Sequence, residues 1–166
     1  MSKSDCRYNM YINILKEELV PAMGCTEPIC LAYAAAKARE ILGETPEKVD
    51  ILASGNIIKN VKSVIVPNTN GMKGLKASVA IGIIGGNAAK ELEVIANVTE
   101  DEKQKTKEFL ETTPMTITHI NSQEQLDVTV KLYKDNHHAS VRISGFHTNI
   151  VYIQKDDTVL FESTTI

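Results

Sequence analysis

Leu75-Lys76-Ala77-Ser78-Val79-Ala80-Ile81-Gly82-Ile83-Ile84 is the stretch on which the fold turns. Read as a strand, it would point to a parallel βαβ sheet. Read as a helix, it leaves the first part of the chain helical. Periodicity does not decide, because almost every position is small or apolar. Ten residues without a turn signal, with Ala and Ser mixed in, favour a buried helix. Working outward, Gly85-Gly86 is a break, and Asn87 to Val98 reads as a further helix with Leu92, Val94 and Ile95 apolar. On the other side, Asn68-Thr69-Asn70-Gly71 is loop chemistry, Ile57 to Val61 a helical turn, and Val49 to Ala53 a short strand. Pro28 to Leu42 is expected to be helical: proline is tolerated in a first turn, and the run Leu31-Ala32-Tyr33-Ala34-Ala35-Ala36 has high helix propensity. Gly43 stops it. Tyr8, Tyr11, Ile12, Leu15 and Leu19 fall on one face of an earlier helix, Asp5 to Val20, which Pro21 ends.

The texture changes at Thr99. Thr99-Glu100-Asp101-Glu102 starts a helix, to about Glu111, with its acidic residues at the positive end of the dipole. From Pro114 the chain alternates and is β-branched, giving up to five strands, with Lys134-Asp135-Asn136 and Lys155-Asp156-Asp157 as turns. The expected fold is therefore α+β. An Ala/Gly-rich helical lobe, residues 1–98, precedes an α+β lobe, residues 99–166, whose mainly antiparallel sheet is covered by helix 100–111.

Composition narrows the function classes. With 166 residues, 43% of them hydrophobic, the chain can bury a core. Eighteen Lys+Arg against 21 Asp+Glu give a net charge of −3 without a basic cluster, which argues against nucleic acid as a partner. No stretch approaches the ~20 apolar residues of a membrane span, and the first residues lack the charge pattern of a secretory signal. The expected location is cytoplasmic. Three cysteines do not make a disulfide framework.

Two segments carry candidate chemistry. In Gly24-Cys25-Thr26-Glu27-Pro28, Cys25 just before a helix start feels free backbone N–H groups, which favour thiolate. The same residue reads equally well as a small side chain buried in a turn. Cys30 and Cys6 read as structural. In Ser54-Gly55-Asn56-Ile57-Ile58-Lys59-Asn60-Val61, Gly55 permits a tight turn after a strand, and the two Asn and Lys59 suit a substrate carboxylate. An Asn-capped turn with a solvated Lys59 is the plainer alternative. Gly82-Ile83-Ile84-Gly85-Gly86 lacks dinucleotide-loop spacing. His137 and His138 are adjacent and point to opposite sides of a strand, so they read as surface residues. His147 is better placed, after Gly145 at the start of a strand.

Together these motifs resemble a known family. The order is Gly24-Cys25-Thr26-Glu27-Pro28 with its Ala-rich helix, Ser54 to Val61, Val64-Ile65-Val66-Pro67, Gly71 with Gly74-Leu75, Leu92-Glu93-Val94, and His147-Thr148-Asn149-Ile150-Val151. It resembles the N-terminal part of iron–sulfur L-cysteine desulfidases, which are related to the alpha chain of iron–sulfur L-serine dehydratases. The resemblance implies a cytoplasmic lyase that converts L-cysteine to pyruvate, ammonia and sulfide, using a [4Fe-4S] cluster held by three cysteines. It places one cluster ligand on Cys25. Thr26, Ser54, Asn56, Asn60, Thr148 and Asn149 would orient the substrate, and Lys59 or His147 would take the α-proton. The other ligands would lie in a C-terminal portion or a separate chain. This chain then reads as a fragment or truncated gene product, inactive and without a cluster by itself, and able to form homo-oligomers through apolar surface. The alternatives are a non-catalytic small-molecule-binding or interaction module on the same fold, and a serine dehydratase-type lyase.

Overall fold

The computed structural model describes residues 26–163. The expected helix from Asp5 to Val20, together with Cys6 and Cys25, lies outside them. Helix α1 runs Thr26–Leu42, and β1, Lys48–Ser54, leads directly into α2, Gly55–Val61. Then follow α3, Gly74–Gly85, a 3-10 segment, Ala88–Glu93, and α4, Glu100–Thr112. The remaining strands are β2, Met115–Ile120, β3, Asp127–Lys134, β4, His137–Ser144, β5, Ile150–Lys155, and β6, Thr158–Glu162. The stretch that decides the fold is thus a helix, and the fold is α+β.

The six strands form one sheet in the order β2-β1-β3-β4-β5-β6. All neighbours are antiparallel except β1 and β2, which run parallel. Parallel partners need a long crossover, and here α2, α3, the 3-10 segment and α4 supply it. The two hairpins at Asp135 and Asp156 close through positive φ values of 54° and 50° at those residues, which Asp tolerates better than most side chains. One face of the sheet is apolar by strict alternation. Val49 faces Leu132, Ile51 faces Val130 and Ala53 faces Val128; Val128 in turn faces Ile143 and Val130 faces Val141. All are fully buried.

Helix α1 packs over β3 and β4, with α3 along its other side. It is therefore buried on every side from Pro28 to Ala36, as suits its alanine run, and exposes Arg39 and Glu40 near its end. An ideal Cβ built on Gly82 of α3 would sit 2.3 Å from the Ala32 carbonyl oxygen, so the two backbones meet at this glycine. One buried cluster runs from Ile29 through Val98 to Ile143. The sheet draws β1 from before residue 98 and five strands from after it.

Two local expectations change. Asn87 to Val98 is not a continuous helix, because Glu91 takes φ 50°, ψ −114° and breaks it. The Asn87 N–H instead donates to the Val94 carbonyl, closing a short loop that buries Leu92, Val94 and Ile95. Helix α4 starts as expected and has a capping box, with the Glu102 N–H donating to the Thr99 hydroxyl and the Thr99 N–H to the Glu102 carboxylate. Its principal packing partner, however, is α3, and α1 is the helix that covers β3 and β4. No helix among the described residues is long and apolar enough to cross a membrane.

Candidate functional site

Four chain segments meet at one end of the sheet: the start of α1, the β1–α2 junction, the β2–β3 connection and the β4–β5 connection. Ser54 ends β1, and Gly55 and Asn56 open α2 with no loop between. The Ser54 hydroxyl donates to the Gln125 carbonyl at 2.5 Å, which ties the β2–β3 connection to this junction. Across from it, the Asn149 side chain donates to the Ser144 carbonyl at 2.8 Å, and the Ser144 N–H donates to the Asn149 carbonyl at 3.2 Å. That pair shapes the turn on which His147 sits.

Between these segments lies a cleft of about 390 Å³, with Glu27, Asn56, Gln123, Glu124 and His147 in its lining. The Nε2 of His147 is shut off from solvent and has no hydrogen-bond partner among the described residues. Burial pushes the imidazole below its ordinary value, while the negative charge of Glu27 pulls it back up. Burial thus favours the neutral ring, the form that can accept a proton. Glu27 adds a carboxylate at the start of α1, and Asn56 adds an amide with both a donor and an acceptor.

The candidate residues separate accordingly. Asn56 and His147 share the cleft, with Thr26 in the first turn of α1 next to Glu27. Ser54 is buried and its hydroxyl is engaged by Gln125. Asn149 holds the turn, and the Thr148 carbonyl accepts from the Ile150 N–H. Lys59 and Asn60 are exposed on α2 and are not in the lining of this cleft. Cys25 lies outside the described residues. Glu27, Gln123 and Glu124 join this cleft without having been expected from their own residue type or spacing. Glu27 stands inside the quoted Cys-Thr-Glu-Pro motif, whereas the β2–β3 connection carries no local signal of its own.

Among the described residues no three His, Cys, Asp or Glu side chains are grouped to hold a metal. Cys30 is fully buried in the core of α1, and burial pushes its thiol far up, away from the thiolate that binds iron.

No protein-family model matches the chain. It is similar to proteins named UPF0597. One, from Desulfitobacterium hafniense, is 50% identical over 161 residues, 97% of this chain and 37% of the relative. Another, from Treponema denticola, is 48% identical over 164 residues, covering 98% and 38%. A third, from Vibrio campbellii, is 37% identical over 158 residues, covering 95% and 37%. The chain thus spans a little over a third of the length of the curated relatives it matches.

Proposed function

We propose that this chain is the substrate-holding part of a cytoplasmic amino-acid lyase of the iron–sulfur L-cysteine desulfidase kind. The observation that carries the reading is the cleft in which Glu27, Asn56 and His147 converge at the start of α1. An α-amino acid presents a carboxylate, an ammonium and an acidic Cα–H. The Asn56 amide donates to the carboxylate, the Glu27 charge matches the ammonium, and neutral His147 takes the α-proton. Loss of that proton and of sulfide from Cβ leaves an enamine, which water converts to pyruvate and ammonia. In this reading Cys25 and cysteines outside these 166 residues would hold the cluster, which would supply Lewis-acid chemistry for the leaving group. His147 is preferred to Lys59 as the base because Lys59 is exposed on α2, away from the cleft.

The whole-length Desulfitobacterium relative, reconstituted anaerobically with iron and sulfide, tests it. Pyruvate and sulfide are expected from L-cysteine. Gln at the position aligned with His147 should lower kcat about 100-fold or more and leave the cluster absorbance unchanged. Ser at the position aligned with Cys25 should abolish that absorbance. Pyruvate from neither L-cysteine nor L-serine overturns the reading, and pyruvate from L-serine alone moves it to a serine dehydratase.

A further inference from the structure

The face of the sheet turned away from α1 carries a second cleft. Asp127 stands opposite Ser144, and Thr129 opposite Arg142, across the β3–β4 ladder. Strand alternation puts these four side chains on the side away from Val128, Val141 and Ile143. The β2–β3 connection folds over them, and Ser122 and Glu124 complete a cleft of about 450 Å³. Its floor is built with unusual care. Asp127 is 0% exposed, and its carboxylate accepts from Arg142 Nε at 2.9 Å, from Arg142 Nη2 at 2.6 Å and from the Ser122 hydroxyl at 2.6 Å. A guanidinium clamped along one edge has its opposite edge fixed as well, and the Arg142 side chain is 44% exposed. Beside it, Ser144 is 1% exposed, and its hydroxyl has no hydrogen-bond partner among the described residues. A buried hydroxyl left unpaired is unfavourable, so a ligand that pairs it recovers free energy.

Charge selects the ligand. Asp127 already neutralises Arg142, so a bare anion gains little from the site. Glu124 adds a carboxylate that makes no ion pair or side-chain hydrogen bond among the described residues. One cation and two carboxylates suit a molecule that carries both signs a few ångströms apart. We propose that this outer cleft binds a free α-amino acid as its zwitterion, with the carboxylate on the outer edge of Arg142 and on the Ser144 hydroxyl, and the ammonium on Glu124. The volume leaves room for a side chain beyond these two groups. The site lies wholly within the described residues and stands whether or not the His147 cleft turns over an amino acid.

Calorimetry of the 166-residue chain with L-serine, together with amide shifts by NMR, tests this directly. Binding is expected with shifts centred on Arg142 and Ser144, and also at Glu124, which lines both clefts. Ser144→Ala, which trims only an unpaired hydroxyl, should weaken it roughly fivefold. Arg142→Lys keeps a cation against Asp127 but loses the planar fork, and should weaken it about tenfold or more. Ethanolamine, which lacks the carboxylate, and 3-hydroxypropionate, which lacks the ammonium, should each bind at least tenfold more weakly than L-serine. The proposal is overturned by absence of serine binding, by equal affinity for 3-hydroxypropionate, or by shifts confined to Asn56 and His147. The circular dichroism spectrum of each variant establishes that loss of binding is not loss of fold.

Discussion

His147 sits where burial and charge pull in opposite directions. Desolvation by its surroundings lowers the imidazole below its ordinary value, and the nearby Glu27 offsets part of that. The consequence for stability follows from the protons each state binds. Below about pH 6.5 the unfolded chain takes a proton on this imidazole, while the folded chain resists until a lower pH. Stability therefore falls as the pH drops through that window and levels off once the folded ring is also charged. The steepest slope from one such group is about 1.4 kcal/mol per pH unit, reduced here because part of the ring meets water. Urea unfolding of the wild type and of His147→Gln, at pH 7.5 and pH 5.5, isolates the effect. The wild type should lose more stability between the two conditions than the variant. Parallel losses would mean that the ring titrates as it does in the unfolded chain, and the neutral base of the proposed lyase would lose its support.

At the scale of elements, the contact between α1 and α3 is set by Gly82. A Cβ there would lie 2.3 Å from the Ala32 carbonyl oxygen and 2.8 Å from its Cα, and both are backbone atoms that cannot rotate away. Gly82→Ala gains up to about 1 kcal/mol of helix propensity but forces two buried helices apart, at a cost of roughly 1–3 kcal/mol or more. The clash wins, and a net loss of about 2 kcal/mol in urea unfolding is expected. At Gly85 the nearest atoms are the Val98 methyls at 3.1 Å, which can move, so Gly85→Ala should cost clearly less. Equal effects at the two positions would show that the helices are not in close contact at Gly82. These two helices were legible in the sequence for the same reason that they pack closely: Ala and Gly both favour near approach and leave no strand-like alternation. The stretch after Asn87 was not, since its apolar residues suit a helix and only the tertiary contacts that hold Glu91 at positive φ reveal the break. The same contrast governs the candidate sites. Asn56 and His147 stand beside glycines that announce a turn. The Asp127–Arg142 pair is made across two strands, and neither residue differs locally from a solvated one.

At the scale of the molecule, the change of composition at Thr99 and the organisation of the core are separate matters. Strand β1 belongs to the first stretch of chain, yet it hydrogen-bonds to β2 on one side and β3 on the other. The buried cluster that includes Ala32, Ile81 and Ile95 also includes Val130 and Val141. Pulling the stretch before residue 98 away would strip both neighbours of β1 of their ladder bonds. It would also uncover the apolar face of β3 and β4 beneath α1. Each buried aliphatic side chain left exposed costs about 1.5–3 kcal/mol, so a partly unfolded form that keeps only one stretch is far less stable than the native chain. Small domains with one such core unfold as a single cooperative unit. Urea denaturation followed by far-ultraviolet circular dichroism and by tyrosine fluorescence is expected to give coincident transitions. Native-state hydrogen exchange should assign the same opening free energy to amides of α3 and of β4. Two resolved transitions, with the α3 amides opening well before those of β4, would establish residues 1–98 and 99–166 as separate folding units. The shared strand would then be a contact between lobes and not the centre of one core.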